Sequence, residues 1–184
     1  MKGANIIVLY GPVAAGKLTV GEILSEKLGY KLSHNHLIND LVRSVYDKGT
    51  LGGERLIEEF RIKFYEEVVK SGISFIITHT YSNNFVSKTG LSDPEYMKKL
   101  EAIFEKHNAN AIFIHIKSNK ETLIDRVSHQ SRKRFRKLTD KEEMKKLLEN
   151  NDFDTSAPVK NNVVIDNSNF TPEETASKII EYLH

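Results

Sequence analysis

A run of small residues with one lysine, near the start of the chain, has the composition and spacing of a phosphate-binding loop. It reads Gly11-Pro12-Val13-Ala14-Ala15-Gly16-Lys17-Leu18-Thr19. An apolar strand pattern over residues 5–10 precedes it and a helical pattern follows, the setting in which backbone N–H groups point at phosphate oxygens. Gly11 and Gly16 allow the backbone angles and the close approach, and Lys17 reaches the β- and γ-phosphates. The sequence therefore predicts a site for a nucleoside triphosphate.

The position after the lysine departs from the usual pattern, in which a Ser or Thr hydroxyl binds Mg²⁺. Here it is Leu18, and the hydroxyl comes one residue later, at Thr19. Glycine-lysine-other-threonine resembles the arrangement in adenylate kinases, which hold Mg²⁺ largely through water and substrate phosphates. We expect Thr19 to be the metal-side residue, and the departure argues against a GTPase-type switch.

Length and composition fit one ordinary globular domain. The chain has 184 residues, of which 39% are hydrophobic and 28% charged, and its net charge of +2 is too small to imply a nucleic-acid partner. It has no cysteine, which excludes disulfides, thiolate catalysis and cysteine-ligated zinc. No apolar stretch approaches the roughly 18 residues of a membrane span, and the first strand pattern leaves no room for a signal peptide. We expect a cytoplasmic protein without a membrane partner.

Five apolar runs predict strands, and helical patterns separate each from the next, which indicates a parallel sheet. The runs lie at about 5–10, 30–33, 73–78, 110–116 and 162–166. Two segments, at about 36–70 and 130–150, are insertions that do not simply connect one strand to the next. Because ligands of such sheets lie beyond the carboxyl ends of the strands, these segments are natural places for acceptor binding and closure.

Capping signals and periodicity predict where several helices begin and which face one of them buries. The predicted starts are Asp93-Pro94, the pairs Ser118/Glu121 and Thr139/Glu142, and Thr171-Pro172-Glu173-Glu174. In the helix that spans the 60s, the predicted apolar face is Leu56, Ile57, Phe60, Phe64 and Val68, with the glutamates on the wet side.

The motifs, taken in order, resemble those of the nucleoside monophosphate kinase and shikimate kinase group of P-loop proteins. They are the loop, Leu123-Ile124-Asp125-Arg126, the arginines at 132–136, and Val164-Ile165-Asp166-Asn167 followed by Thr171-Pro172-Glu173-Glu174. The segment Ser33-His34-Asn35-His36-Leu37 resembles small bacterial kinase-like proteins of unassigned substrate. The resemblance implies one α/β domain over 1–184 with the three-layer P-loop NTPase fold. Its five-stranded parallel sheet would have the order 2-3-1-4-5, with helices on both faces and a lid at about 130–140.

The resemblance also assigns residues to ATP and Mg²⁺. The nucleotide-binding set is Gly11, Val13, Ala14, Ala15, Gly16, Lys17, Leu18 and Thr19, with Arg126 stacked on adenine. Arg132 and Arg136 would contact the transferring phosphate when the lid closes. The basic run from Arg132 to Lys137 also fits contact with a nucleic-acid backbone.

The acceptor side lacks the carboxylates that shikimate kinases place after their second strand, so shikimate is not expected as the acceptor. His36 and Asp40, at i and i+4, can form a base with its orienting partner. His79 follows the third strand, where many ATPases carry an aspartate, so a motor or a self-sufficient hydrolase is not favoured. The remaining acceptor candidates are Tyr81, Tyr46, Arg43 and Arg61.

These residues predict a kinase that moves the γ-phosphate of ATP to a small-molecule hydroxyl or phosphate acceptor, with Lys17, His36, Asp40, Arg132 and Arg136 as catalytic residues. Two alternatives stay open. One is a kinase that acts on the end of a nucleic acid through the basic lid, and the other is an ATP-binding regulator without catalysis. The sequence is compatible with a monomer or a dimer.

Overall fold

The computed structural model describes residues 3–128 and 138–183, which form five strands and seven helices. The strands are β1 (Asn5–Gly11), β2 (Lys31–His34), β3 (Phe75–Thr80), β4 (Asn110–Lys117) and β5 (Asn162–Asp166). The helices are α1 (Lys17–Leu28), α2 (Asn35–Arg43), α3 (Leu51–Lys70), α4 (Asp93–Lys106), α5 (Lys120–Val127), α6 (Lys141–Asn150) and α7 (Pro172–Glu181). Within these ranges no helix combines the length and apolar character that a membrane crossing requires.

The strands form one parallel sheet in the order β2-β3-β1-β4-β5, which confirms the predicted fold class. Strand β1 lies in the centre, and its side chains alternate between two buried layers. Ile7 and Leu9 pack with α1, α5, α6 and α7, whereas Ile6 and Val8 pack with α3 and α4. A strand buried on both faces must be apolar throughout, which explains the uninterrupted run in the sequence.

Three predicted helix starts are wrong by one residue, and one is confirmed. Ser92 rather than Asp93 caps α4, Asn119 rather than Ser118 caps α5, and Asp140 rather than Thr139 caps α6. In each case two neighbouring residues are of types that can cap a helix. Thr171 forms the predicted capping box with Glu174 at the start of α7.

The buried face of α3 also differs from the prediction. Ile57 is buried as expected, but Leu56, Phe60 and Phe64 are about 40% exposed. The other buried positions are Gly53, Arg61, Tyr65 and Val69. On this buried face the Arg61 guanidinium donates to the Asn35 carbonyl (3.3 Å) and to Asn39 Oδ1 (2.7 Å) of α2, a polar contact that the apolar pattern of the sequence does not predict.

A buried histidine in β4 supports the centre of the sheet. His115 stacks on Tyr10 with ring centroids 4.6 Å apart, and its Nε2 lies 3.1 Å from the Phe153 carbonyl oxygen. Because a carbonyl can only accept, Nε2 carries the proton, and the Ser156 hydroxyl, 3.0 Å away, donates to Nδ1. Burial, together with the charge of Lys117, lowers the pKa of His115 to about 4. The folded protein therefore holds a neutral imidazole there.

This histidine should make stability depend on pH between about 6.5 and 4. The unfolded chain binds a proton at His115 near the ordinary pKa of about 6.5, whereas the folded chain does so only near 4, so acidification favours unfolding over that interval. The expected loss in the free energy of unfolding is at most about 3 kcal/mol. When urea unfolding is measured at several pH values, the free energy of unfolding should depend less steeply on pH for His115→Asn than for the parent chain. Equal slopes for the two proteins would contradict the assignment.

Candidate nucleotide and acceptor site

The loop between β1 and α1 has the backbone of a phosphate cradle. Gly11 has φ +134°, and a Cβ atom there would lie 2.3 Å from the Ile116 carbonyl oxygen, so only glycine fits. Gly16 has φ +83° and starts α1 without a side chain to cap it. The N-cap residue therefore supplies no side-chain acceptor at this helix start, which is the setting in which proteins bind phosphate oxygens. The loop fits a nucleotide phosphate chain.

Ala14 is the unexpected residue of the loop. Its φ is +66°, a left-handed conformation that costs a residue with a Cβ atom about 1 kcal/mol or more. The residue is buried, and its neighbour Ala15 is buried in an ordinary conformation. The sequence analysis identified the need for glycine at 11 and 16 but not at 14, because φ cannot be read from the residue type.

The lysine of the loop is buried and held over it. Lys17 Nζ donates to the carbonyl oxygens of Gly11 (2.8 Å) and Pro12 (2.5 Å). These bonds position the ammonium group above the loop, next to the first turn of α1. A negative group that enters the cradle meets both the helix N-terminus and this fixed positive charge.

Arg126 is anchored beside the loop by two polar side chains. Its guanidinium donates to Ser118 Oγ (3.1 Å), to Asn167 Oδ1 (3.1 Å) and to the Asn167 carbonyl (3.0 Å), while burial lowers its pKa. The Asn167 amide also donates to the Ala15 carbonyl (3.0 Å). Asn167 thus links Arg126 to the loop. The sequence analysis assigned Asn167 no role; its position directly after β5 was the available signal.

One cleft of about 870 Å³ brings most of the predicted residues together. Its lining includes Val13, Ala14, Ala15, Gly16, Lys17, Leu18, Thr19, Arg126, His36, Arg43, Arg61 and His79. Gly11 is buried beneath the loop, and Asp40 is exposed on α2 outside the lining. Tyr46 and Tyr81 are also outside it, and Arg132 and Arg136 fall outside the described residues. Of the predicted pair, His36 lines the cleft and Asp40 does not.

A different histidine–carboxylate pair lies in the cleft. His79 Nε2 is 3.3 Å from Asp93 Oδ1, and the backbone N–H of Ser82 donates to Asp93 Oδ2 (2.8 Å). The His79 ring stacks on Tyr96 with centroids 4.8 Å apart. Both residues of the pair are buried, and both line the cleft. The sequence suggested Asp93 only as a helix cap, since 14 positions separate it from its partner.

Two arginines give the acceptor end of the cleft a positive character. Arg61 is buried, and its Nε, like that of Arg43, makes no hydrogen bond to any residue that the structure describes. Arg43 Nη2 lies 3.9 Å from Glu54 Oε1, which is a long distance for an ion pair. Both residues line the cleft, so their positive charges favour an anionic group that enters it.

No protein-family model and no curated protein sequence matches the chain. Solved structures do, over nearly the full length of both chains. A sugar kinase from Janibacter sp. HTCC2649 is 16% identical, with 98% of this chain and 94% of that chain covered and a TM-score of 0.65. A shikimate kinase from Acinetobacter baumannii, in complex with shikimate, is 18% identical with 99% and 94% covered and a TM-score of 0.61. A gluconokinase from Sinorhizobium meliloti 1021 is 13% identical with 99% and 96% covered and a TM-score of 0.57.

The chain has the P-loop kinase fold. The structural overlap with these proteins establishes the fold, and the low sequence identities leave the substrate open. The predicted resemblance to the shikimate kinase and nucleoside monophosphate kinase group is confirmed at that level. Among residues 3–128 and 138–183, no three His, Cys, Asp or Glu side chains form a group that could hold a metal ion.

The strain at Ala14 predicts a stabilising substitution inside the P-loop. Ala14→Gly should raise the free energy of unfolding by about 1 kcal/mol, because glycine adopts φ +66° without strain. Ala15→Gly, the matched control one residue away, should lower it by about 1 kcal/mol, since it only adds freedom to the unfolded chain and removes a buried methyl group. Urea unfolding of the three proteins measures both changes. Equal destabilisation by the two substitutions would show that Ala14 is not strained.

Proposed function

We propose that this protein is an ATP-dependent kinase that transfers the γ-phosphate to a small-molecule acceptor. The observation that carries the proposal is one continuous cleft with the P-loop and Lys17 at one end and the pair His79–Asp93 with Arg61 at the other. A cleft that holds donor and acceptor together is what phosphoryl transfer needs, because that reaction depends mainly on positioning and charge neutralisation.

At the nucleotide end, the triphosphate lies in the P-loop and the base lies against Arg126. Phe170 and Pro172 line the same end, and the hydrogen bonds that the guanidinium donates to Ser118 and Asn167 fix its plane. A planar, anchored guanidinium is suited to stack on an aromatic base. We infer that this base is adenine.

Mg²⁺ has one candidate protein residue in the P-loop. Thr19 lines the cleft in the first turn of α1, while Leu18 stands where a direct hydroxyl ligand is usual. The donor set therefore fits a metal held chiefly by phosphate oxygens and water. When bound, Mg²⁺ neutralises charge on the β- and γ-phosphates.

At the acceptor end, His79 is the group we assign to the acceptor hydroxyl. If Nε2–H donates to Asp93, Nδ1 is left as the acceptor of the hydroxyl proton. The acceptor oxygen then bonds to the γ-phosphorus while the bond from that phosphorus to the β,γ-bridging oxygen breaks, and ADP leaves. His36 lines the same end and contributes to acceptor binding.

The arginines indicate what else the acceptor carries. Arg43, Lys48 and Arg61 all line the cleft and give its acceptor end a positive charge. We infer an acceptor that bears a carboxylate or phosphate group in addition to its reacting oxygen, because such groups accept hydrogen bonds from a guanidinium in pairs. The nucleic-acid alternative rests on residues 132–137, which lie outside the described ranges, and nothing in the cleft favours it. Arg132 and Arg136 remain proposed lid residues.

Replacement of the P-loop lysine tests the proposal directly. Lys17→Ala should reduce γ-phosphate transfer at least about a hundredfold, because the charge stabilisation it gives to the transferred group is lost. Transfer from labelled ATP with Mg²⁺ to a panel of hydroxy acids, sugars and nucleotides measures it, with circular dichroism as a check of folding. Lys27→Ala, at the other end of α1, is the control and should retain turnover. Equal turnover in Lys17→Ala and the parent chain would remove the proposal.

The two histidine–carboxylate pairs make opposite predictions. If His79–Asp93 serves the acceptor, Asp93→Asn should lower kcat about a hundredfold with little change in KM for ATP. Asp40→Asn, which changes an exposed carboxylate outside the cleft, should then leave kcat unchanged. A lower kcat in Asp40→Asn, together with full activity in Asp93→Asn, would assign the acceptor proton to the pair His36 and Asp40 instead.

A further inference from the structure

The pair of helices that borders the acceptor end carries an exposed apolar strip. The strip consists of Leu37, Leu41, Val45, Leu56, Phe60 and Phe64, with exposed fractions between 39% and 84%. The first two residues belong to α2, Val45 follows that helix, and the other three lie at i, i+4 and i+8 on α3. Phe60 and Phe64 stack on each other with centroids 6.2 Å apart. We call this surface the outer strip.

The outer strip lies on one face of the helix pair, opposite the cleft. α2 and α3 pack through Ile38, Val42 and Ile57. The residues that follow these by one position, Asn39, Arg43 and Glu58, all line the cleft. The residues that precede them by one position, Leu37, Leu41 and Leu56, belong to the outer strip. Since successive helix residues are about 100° apart, the two helices present the strip on the same side, away from the cleft.

The exposed apolar area of the outer strip is at the upper end of the range found on monomeric proteins. With about 200 Å² for a fully exposed side chain of this size, the six fractions correspond to about 600 Å² of apolar surface. The largest apolar patch of a typical monomer is about 300–600 Å². Two such strips facing each other would bury about 1,200 Å², the lower bound for a specific interface.

The charges beside the outer strip match a second copy of themselves. Arg55, Glu59, Lys63 and Glu67 are exposed and form a row at i, i+4 spacing with alternating sign. When this row meets an identical row in the antiparallel direction, Glu59 faces Lys63 of the other copy and Arg55 faces Glu67, each pair twice. A row of one sign would repel its copy, whereas this row is self-complementary.

We propose that the outer strip is a homodimer interface, in which α3 packs antiparallel against α3 of a second copy across a twofold axis near residue 61. The contact is isologous, so every apolar residue of the strip is covered in both copies. The cleft stays open because it lies on the other face of the same two helices. This proposal does not depend on the proposed kinase activity.

Sedimentation of the full chain between about 1 and 100 µM tests the proposal. The parent chain should shift from monomer to dimer. Leu41→Asp and Val45→Asp should each weaken the dimer at least about tenfold, because the interface would bury an unpaired carboxylate. Val45 is the most exposed residue of the strip and lies outside a helix, so its variant keeps the fold.

Two sets of control variants distinguish a dimer formed through the outer strip from non-specific association. Tyr182→Asp changes a large exposed residue far along the chain, after α7, and should leave the dimer intact. Glu59→Lys and Lys63→Glu should each weaken the dimer, and the double exchange should restore it. A monomer at 100 µM, a dimer insensitive to the strip substitutions, or a double exchange that fails to restore association would each overturn the proposal.

Discussion

The structure depends on one backbone constraint: the chain must turn from the central, doubly buried strand β1 into α1 within five residues. Gly11 passes so close to the Ile116 carbonyl that no side chain fits, and Ala14 and Gly16 adopt left-handed angles to complete the turn. The turn places Gly16, which has no side chain to cap the helix, at the start of α1. A sheet of this kind thus creates an anion site at the same place where its packing is tightest.

Polar side chains at the carboxyl ends of the strands hold the surroundings of this turn. Asn167, after β5, bonds both the P-loop and Arg126, while Asp93 joins Ser82, after β3, to His79. Arg61 connects α3 to the start of α2. Buried charged groups contribute little to stability on balance, since their desolvation offsets the pairing. Their concentration along one edge of the sheet is better explained by ligand binding. In the proposed reaction, both the nucleotide and the acceptor bind at this edge.

The helix pair α2 and α3 shows how one element serves two surfaces. One side supplies Asn39 and Arg61 to the cleft, and the other side carries the outer strip. The two sides lie one residue step, about 100°, to either side of the contact between the helices, so the rotation of each helix decides which residues face the cleft. The Arg61 bonds to Asn35 and Asn39 link α3 to α2 in the observed arrangement. A dimer contact on the outer strip would therefore also hold the acceptor end of the cleft in place.

The sequence by itself determined the strands, the sheet order through its resemblance, and the P-loop with Lys17, because these follow from short-range patterns: an apolar run, a glycine spacing, a helical repeat. It did not determine which of two adjacent residues caps a helix, since Ser92 and Asp93 both can, nor which face of α3 is buried. It also missed the pair His79–Asp93 and the links made by Asn167. Those depend on which strand ends and helix starts meet in space, and only the tertiary structure decides that, because the partners are 14 to 152 residues apart and no local pattern joins them.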